Sequence, residues 1–292
     1  MRRSTLIAIM TVGVIGVASI AAPMLGARSP AAIGDVVGAR LLAPFTRDPA
    51  GGFHLLGTDR LGRDLFARTL LAGRISLAVG IAGALLAGSL GVAVGALAGW
   101  RRGALDRVLM AITDALLAIP RLVLLLLCVA LWQPSAGVVV VVLAATGWMG
   151  IARLTRAEVI AARGRPYVDA ARALGAQSSR TIWRHVMPNA VGPALVATAM
   201  GVGSAIMLEA GLSFLGLGVQ PPAASWGNMI AAGRDVVVSA PWVSLVPGIA
   251  VVVVTTCATV LGDAARDRLA GRRTPSAQRT RIVTMSRGPA VN

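Results

Sequence analysis

Four long stretches of this chain contain no charged residue: 77–99, 122–152, 191–208 and 236–262. A helix of roughly 20 apolar residues crosses the hydrocarbon core of a bilayer, which is about 30 Å thick. Hydrophobic residues make up 56% of the 292 residues and charged residues only 14%, too few to cover a soluble domain of this size. The pattern predicts an all-α membrane protein.

About six transmembrane helices are expected. The first lies in residues 1–26, and the others lie at 77–99, 115–132, 136–152, 191–217 and 242–261. The basic start and small-residue end of the first stretch would also suit a cleaved signal peptide, but its length of about 20 apolar residues favours a retained helix. We expect residues 27–76 outside the cytoplasm, with a helix over 59–76 along the membrane surface. Residues 77–265 then form the core, and 266–292 form a basic cytoplasmic tail.

All 28 basic residues are arginines, and the net charge is +16. With both termini in the cytoplasm, 19 arginines lie on the cytoplasmic side and 8 on the other, as the positive-inside rule requires. The arginines separate the apolar runs, which indicates contact with lipid headgroups and not with nucleic acid.

The sequence shows no catalytic, cofactor or metal site. A phosphate-binding Walker loop needs a lysine, and this chain has none, so ATP and Mg²⁺ would have to bind to partner chains. The two histidines are far apart in sequence, and the two cysteines lie within apolar runs.

Small residues recur every four positions along the second predicted helix, at Ala87, Gly91, Gly95 and Gly99. Such a stripe lets two helix backbones approach closely in a bilayer, although glycine is also common in membrane helices generally. We expect this stripe to be a packing face.

The polar loop 155–190 carries the most specific local pattern. Pro166 suits the first turn of a helix over 167–174, and Asp169 complements the dipole of that turn. Gly175 is positioned to end this helix in a left-handed conformation.

A second helix is predicted directly after the first. Ser178 or Ser179 would cap it, Ile182 and Val186 would share one face, and Pro188 would end it. The product is a compact helix–turn–helix, which either docks into a partner's groove or lies at the membrane surface as an ordinary amphipathic loop.

The order of residues in this loop resembles the "EAA" cytoplasmic loop of the permeases of binding-protein-dependent ABC importers, with Asp169 where that family has Glu. The resemblance implies a type I ABC importer permease fold. It also implies that the loop couples the permease to its ATPase, through Asp169, Ala170, Ala171, Leu174, Gly175, Ile182 and Pro188.

Further motifs resemble the dipeptide, oligopeptide and nickel permeases of that family. They are the segments 56–59, 61–64, 213–218, 220–222 and 225–229, together with Pro241-Trp242, Pro247-Gly248 and 261–263. The segment 218–241 is expected to pack on the outer face, where gate candidates are Glu209, Trp226, Asn228 and Arg234. Glu209 either contacts the passing solute or pairs locally.

The resemblance implies a multi-pass subunit of the bacterial cytoplasmic (inner) membrane. Its partners would be a homologous second permease, two ATPase subunits or one two-domain ATPase, and a substrate-binding protein. Its cargo would be di- or oligopeptides, or else nickel or glutathione. A proton-coupled secondary transporter and a non-transporting scaffold are the alternatives from other classes; the first would need ionisable residues within the spans.

Overall fold

The computed structural model describes residues 3–23 and 36–273, with side chains up to residue 269. Eleven α-helices occur in these ranges, together with one two-stranded hairpin, β1 (Thr46–Arg47) and β2 (Phe53–His54). The helices are α1 (Arg3–Ala21), α2 (Leu65–Arg101), α3 (Gly103–Leu117), α4 (Arg121–Val129), α5 (Ala136–Arg163), α6 (Pro166–Ala173), α7 (Ser178–Thr181), α8 (Met187–Ala190), α9 (Gly192–Phe214), α10 (Trp226–Gly233) and α11 (Trp242–Arg273).

Five of these helices, α1, α2, α5, α9 and α11, are long and apolar enough to cross a membrane. A sixth span is possible only if α3 and α4 together form one broken crossing. The expected all-α bundle of about six spans is therefore confirmed. Parts of three predicted segments, at 24–26, 27–35 and 274–292, lie outside the described residues.

The third predicted span is wrong as a continuous helix. Residues 115–132 divide between α3 and α4, whose axes meet at 91°. Pro120 stands at the break with an extended backbone, φ −54° and ψ 125°. Proline disfavours helical geometry in the residue before it and lacks an N–H to donate, so the apolar run does not continue as one helix.

The separate surface helix predicted over 59–76 is also corrected. Residues 65–76 are the first three turns of α2, a continuous helix of 37 residues that is about 55 Å long. Asp64 begins α2, because its carboxylate accepts a hydrogen bond from the N–H of Ala67 at 2.8 Å. Just before it, Asp59 accepts from the side chains of Arg63 and Arg68. The charges that suggested an amphipathic helix instead build this tight polar turn.

The small-residue stripe of α2 faces α5. A Cβ atom at Gly95 would lie 2.3 Å from the carbonyl oxygen of Ala152, and one at Gly91 would lie 2.7 Å from that of Trp148. A Cβ at Gly99 would lie 2.9 Å from the carbonyl oxygen of Arg156. The two backbones therefore touch at three successive glycines of α2, over slightly more than two helical turns, which makes α2 and α5 the central pair of the bundle.

Candidate functional site

The loop between α5 and α9, residues 164–190, begins with the short helix α6. Pro166 occupies its first turn, and Asp169 lies in the same turn. After it, Gly175 has φ of +78°, the left-handed conformation that its position predicts. The N–H of Gly175 donates to the carbonyl of Arg172 at 2.9 Å, and that of Ala176 donates to the carbonyl of Ala171 at 3.0 Å. This pair of hydrogen bonds is a Schellman turn, which fixes the angle between α6 and α7.

The second helix of the loop differs from the prediction in two respects. Ser178 is its first residue, but neither Ser178 nor Ser179 caps it; Gln177 holds the cap position without a side-chain bond. Pro188 does not end the helix either, because the chain continues helically through α8.

The reason is a π-helical turn over Ile182–Val186, in which the N–H of Met187 donates to the carbonyl of Ile182, five residues back. The wider turn gives room for the ring of Pro188, which would clash with a carbonyl in a regular helix.

The inner side of the loop is firmly anchored. Val168 of α6 is fully buried and packs with Ile182 and Val186 against Val159 of α5. Ala96 of α2 belongs to the same apolar cluster. The loop is therefore attached to the central α2–α5 pair through a continuous apolar contact.

Trp100, near the end of α2, supplies a second attachment. Its indole N–H donates to Ser178 Oγ at 3.0 Å, and its carbonyl accepts from Arg163 Nη1 at 2.5 Å. The guanidinium groups of Arg163 and Arg172 lie 5.3 Å and 5.4 Å from the centre of its ring. One side chain thus joins the ends of α2 and α5 to both short helices of the loop, through a hydrogen bond and two cation–π contacts.

The outer side of the loop is open. Leu174 is 89% exposed and Trp183 is 69% exposed. Asp169, Ala170, Gly175 and Pro188 are exposed too, whereas Ala171 is half-buried and Ile182 is buried. The predicted coupling residues therefore fall into two groups, an exposed set that a partner can touch and an internal set that holds the loop in place.

The gate candidates lie near the opposite end of α2. Glu209 of α9 is fully buried and accepts hydrogen bonds from Ser213 Oγ at 2.7 Å and Ser76 Oγ at 3.2 Å. The same Ser76 hydroxyl accepts from the backbone N–H of Trp226 at 3.0 Å, and the indole N–H of Trp226 donates to the carbonyl of Thr69 at 2.9 Å. Glu209 thus pairs locally and joins α2, α9 and α10.

Asn228 and Arg234 play different parts in the segment 218–241. Asn228 forms a capping box with Ser225 at the start of α10, and its side-chain amide donates to the carbonyls of Val219 and Ala223. Arg234 lies outside this cluster, is exposed, and has Asp235 at 3.8 Å. Glu209, Trp226 and Asn228 therefore each form hydrogen bonds within the chain, and Arg234 lies apart from them; the role of these four residues at the gate stays a prediction.

Several residues that shape these sites were not anticipated. Trp100 is one aromatic residue at the end of an apolar run, and nothing in its local pattern indicates contacts with residues 63 to 78 positions away. Ser76, Ser213 and Ser225 are small polar residues inside or beside spans, which is a weak signal for interhelical hydrogen bonds.

Comparison with known proteins identifies the family to which this architecture corresponds. The family described as "Binding-protein-dependent transport system inner membrane component" matches residues 91–272. The chain is 42% identical over 246 residues to the probable peptide ABC transporter permease protein y4tQ of Sinorhizobium fredii, covering 84% of this chain and 83% of that protein. It is 36% identical to the oligopeptide transport system permease protein OppC of Bacillus subtilis, over 76% of this chain and 72% of that one.

A solved structure shares the fold. A chain of the MetNI methionine ABC transporter, in an inward-facing conformation, aligns with a TM-score of 0.55 and 19% identity over 67% of this chain and 93% of that chain. The bundle, the 164–190 loop and these matches lead to one conclusion: the chain belongs to the binding-protein-dependent transport system inner membrane component family, and is a multi-pass ABC transporter permease subunit with the type I importer fold.

Proposed function

We propose that this chain is one of two permease subunits in an importer that moves di- or oligopeptides into the cell, powered by separate ATPase subunits. The observation that carries the proposal is the construction of the 164–190 loop. Its outer side presents Leu174 and Trp183 to a partner, while its inner side is attached to α2 and α5 through Val168 and Trp100. A rigid element with an open face suits the transfer of movement from a motor into the bundle.

ATP is hydrolysed by other chains. ATP and Mg²⁺ bind to two ATPase subunits, or to one two-domain ATPase, since this chain has no lysine for a Walker loop. The permease itself binds no cofactor. A substrate-binding protein delivers the peptide to the outer face, and a homologous second permease completes the pathway.

The orientation follows from the distribution of arginines. Both termini and the 164–190 loop lie on the cytoplasmic side, where the loop reaches the ATPase. The segment from residue 36 to residue 64 and the segment 218–241 lie on the outer side, where Arg60 and Asp235 form an ion pair at 3.0 Å between them.

The names of the relatives favour peptides as the cargo of this chain. The permeases from Sinorhizobium fredii and Bacillus subtilis carry the words peptide and oligopeptide in their names, and a third, also from Bacillus subtilis, is a dipeptide permease, 39% identical over 222 residues. We expect the binding protein to set the choice among peptides, because the permease alone shows few polar side chains in its spans.

Coupling is tested in the reconstituted complex with two variants of the loop. Gly175→Pro cannot adopt φ of +78°, and Asp169→Arg reverses a charge on the exposed face. Each should abolish peptide uptake while ATP hydrolysis continues. Gly164→Ala is the control, since Gly164 has φ of −85° and open space around it. Full uptake by both loop variants would remove the loop from the mechanism.

A further inference from the structure

A cavity of about 430 Å³ lies between α2, α4, α5, α9 and α11, and it is open on one side, where Arg121, Ser204 and Thr259 are exposed. Its walls are formed mainly by residues with small side chains, among them Gly83, Ala87, Gly147, Ala197, Ser204 and Thr259. Its volume is within the range of roughly 300–1,000 Å³ that is usual for small-molecule sites.

The cavity lies midway along the spans. On α2 it is lined by residues 83–87 of a helix that runs from 65 to 101, and on α5 by residues 143–151 of a helix from 136 to 163. On α9 it is lined by residues 197–205 of a helix from 192 to 214. If these helices cross the bilayer, the cavity is near its centre, far from both headgroup regions.

One charged side chain, Arg121, lines this cavity. The break at Pro120 places Arg121, the first residue of α4, beside α5, where a Cβ atom at Gly147 would lie 3.0 Å from Arg121 Nη2. The Arg121 side chain is exposed on the open side of the cavity. Within residues 3–23 and 36–269, no carboxylate forms an ion pair with Arg121 and no group accepts a hydrogen bond from it. The glycine at 147 leaves the space that the guanidinium occupies.

An arginine at this depth is costly unless an anion or hydrogen-bond acceptor meets it, and such residues usually mark a pathway. A guanidinium pairs best with a carboxylate, which it can hold through two parallel hydrogen bonds. Every unmodified peptide carries a terminal carboxylate, whatever its side chains. The small residues around Arg121 leave room for different side chains.

We propose that Arg121 and this cavity form a transient binding site for the C-terminal carboxylate of the peptide during translocation. The proposal rests on the proposed function, because it takes a peptide as the cargo. It assigns a specificity-determining residue to the permease itself: peptides with a free C-terminus pass faster than the same peptides with an amidated one.

The test compares trialanine with trialanine amide in complexes reconstituted with the same binding protein. The readout is the ATP-dependent uptake rate of trialanine divided by that of trialanine amide. Any preference of the binding protein for one peptide acts equally on all complexes and cancels when ratios are compared. Arg121→Gln should lower the ratio about tenfold, the size expected for one lost charge-assisted contact. Arg121→Lys should give an intermediate ratio, and Arg107→Gln, at an exposed position of α3, should leave it unchanged.

A second variant leaves the arginine in place. Ser204→Asp adds a carboxylate to the wall of the same cavity, which competes with the peptide for Arg121 and should also lower the ratio. If the Arg121→Gln complex does not assemble, the uptake ratio of the Ser204→Asp complex tests the proposal in its place.

A ratio that stays at the wild-type value in Arg121→Gln, or in Ser204→Asp where the first variant does not assemble, overturns the proposal. An unchanged ratio has the same meaning if Arg121→Gln weakens assembly of the complex, because Arg121 would then bind the sister permease and not the peptide. A wild-type complex that shows no ATP-dependent uptake of either peptide overturns the proposed function as well.

Discussion

Replacing Gly95 with alanine tests the close approach of α2 and α5. The new Cβ would lie 2.3 Å from the carbonyl oxygen of Ala152 and 2.7 Å from Thr155 Cβ. Optimal contacts between carbon atoms are about 3.5–4.0 Å, so α5 has to move away by about 1 Å. Since both obstacles belong to the backbone or to the first side-chain atom of α5, a change of rotamer cannot relieve the overlap.

The magnitude follows from two opposing effects. Forcing an extra methyl group into a packed interface costs about 1–3 kcal/mol. Exchanging glycine for alanine within a helix returns about 0.5–1 kcal/mol. A Cβ atom 2.3 Å from a backbone oxygen belongs in the upper part of the first range, about 2–3 kcal/mol, so the expected net loss is about 1–2.5 kcal/mol. This corresponds to a fall in melting temperature of about 2–10 °C for a chain of this size. Gly211→Ala in α9 is the control, because no atom lies within 4 Å of its Cβ position.

The assay is thermal unfolding of the purified complex in lipid nanodiscs, together with peptide uptake. The loss of stability should decrease in the order Gly95, Gly91, Gly99, because the backbone oxygens lie 2.3, 2.7 and 2.9 Å from the respective Cβ positions. Uptake should fall with stability, since the proposed coupling of the loop to the bundle runs through the same interface. Gly211→Ala should melt at or slightly above the wild-type temperature, because its new methyl group meets no atom. A Gly95→Ala complex that also melts at or above the wild-type temperature would refute the packing argument.

Three further variants probe the loop and the buried acid. Trp100→Ala removes the hydrogen bond and both cation–π contacts that attach the loop to α2, so the number of peptides imported per ATP hydrolysed should fall several-fold at unchanged ATPase activity; an unchanged yield per ATP would argue against this attachment. Glu209→Leu leaves two buried hydroxyl groups without an acceptor, at about 1–3 kcal/mol each, and should reduce the amount of assembled complex in the membrane, whereas Glu209→Gln should keep most of it. Equal amounts for both variants would contradict the structural role of the acid. Leu174→Asp should weaken co-purification of the ATPase about tenfold, and Val238→Asp, at a position that is 96% exposed near the other end of the bundle, should not; equal effects would show that position 174 has no special role.

Elements governed by local chemistry could be predicted from the sequence. The uncharged runs located the long helices, because the cost of a charge in a bilayer dominates every other contribution. The left-handed turn at Gly175 could be predicted because few other residues adopt φ of +78° at low cost. The glycine spacing of α2 indicated a packing face, although not which helix would meet it.

Elements that depend on distant contacts could not be predicted. The break between α3 and α4 falls at Pro120, but membrane helices tolerate proline, so this residue alone did not distinguish a kinked span from a break of 91°. The hydrogen bond between Ser76 and Glu209 joins residues 133 positions apart, so local patterns left the role of Glu209 open. The π-helical turn over Ile182–Val186 lets the chain stay helical past Pro188, whereas the local pattern of the sequence predicts a helix end at that proline.

The most direct measurement concerns the side of the membrane on which the 164–190 loop lies and what it touches there. In a chain with Cys128 and Cys257 replaced by alanine, Leu174→Cys and Val238→Cys provide single thiols at the two ends of the bundle. The account predicts that a membrane-impermeant maleimide labels intact spheroplasts at position 238 only, and that a thiol cross-linker joins position 174 to an ATPase subunit. Labelling of position 174 from outside, or the absence of any cross-link to an ATPase, would contradict it.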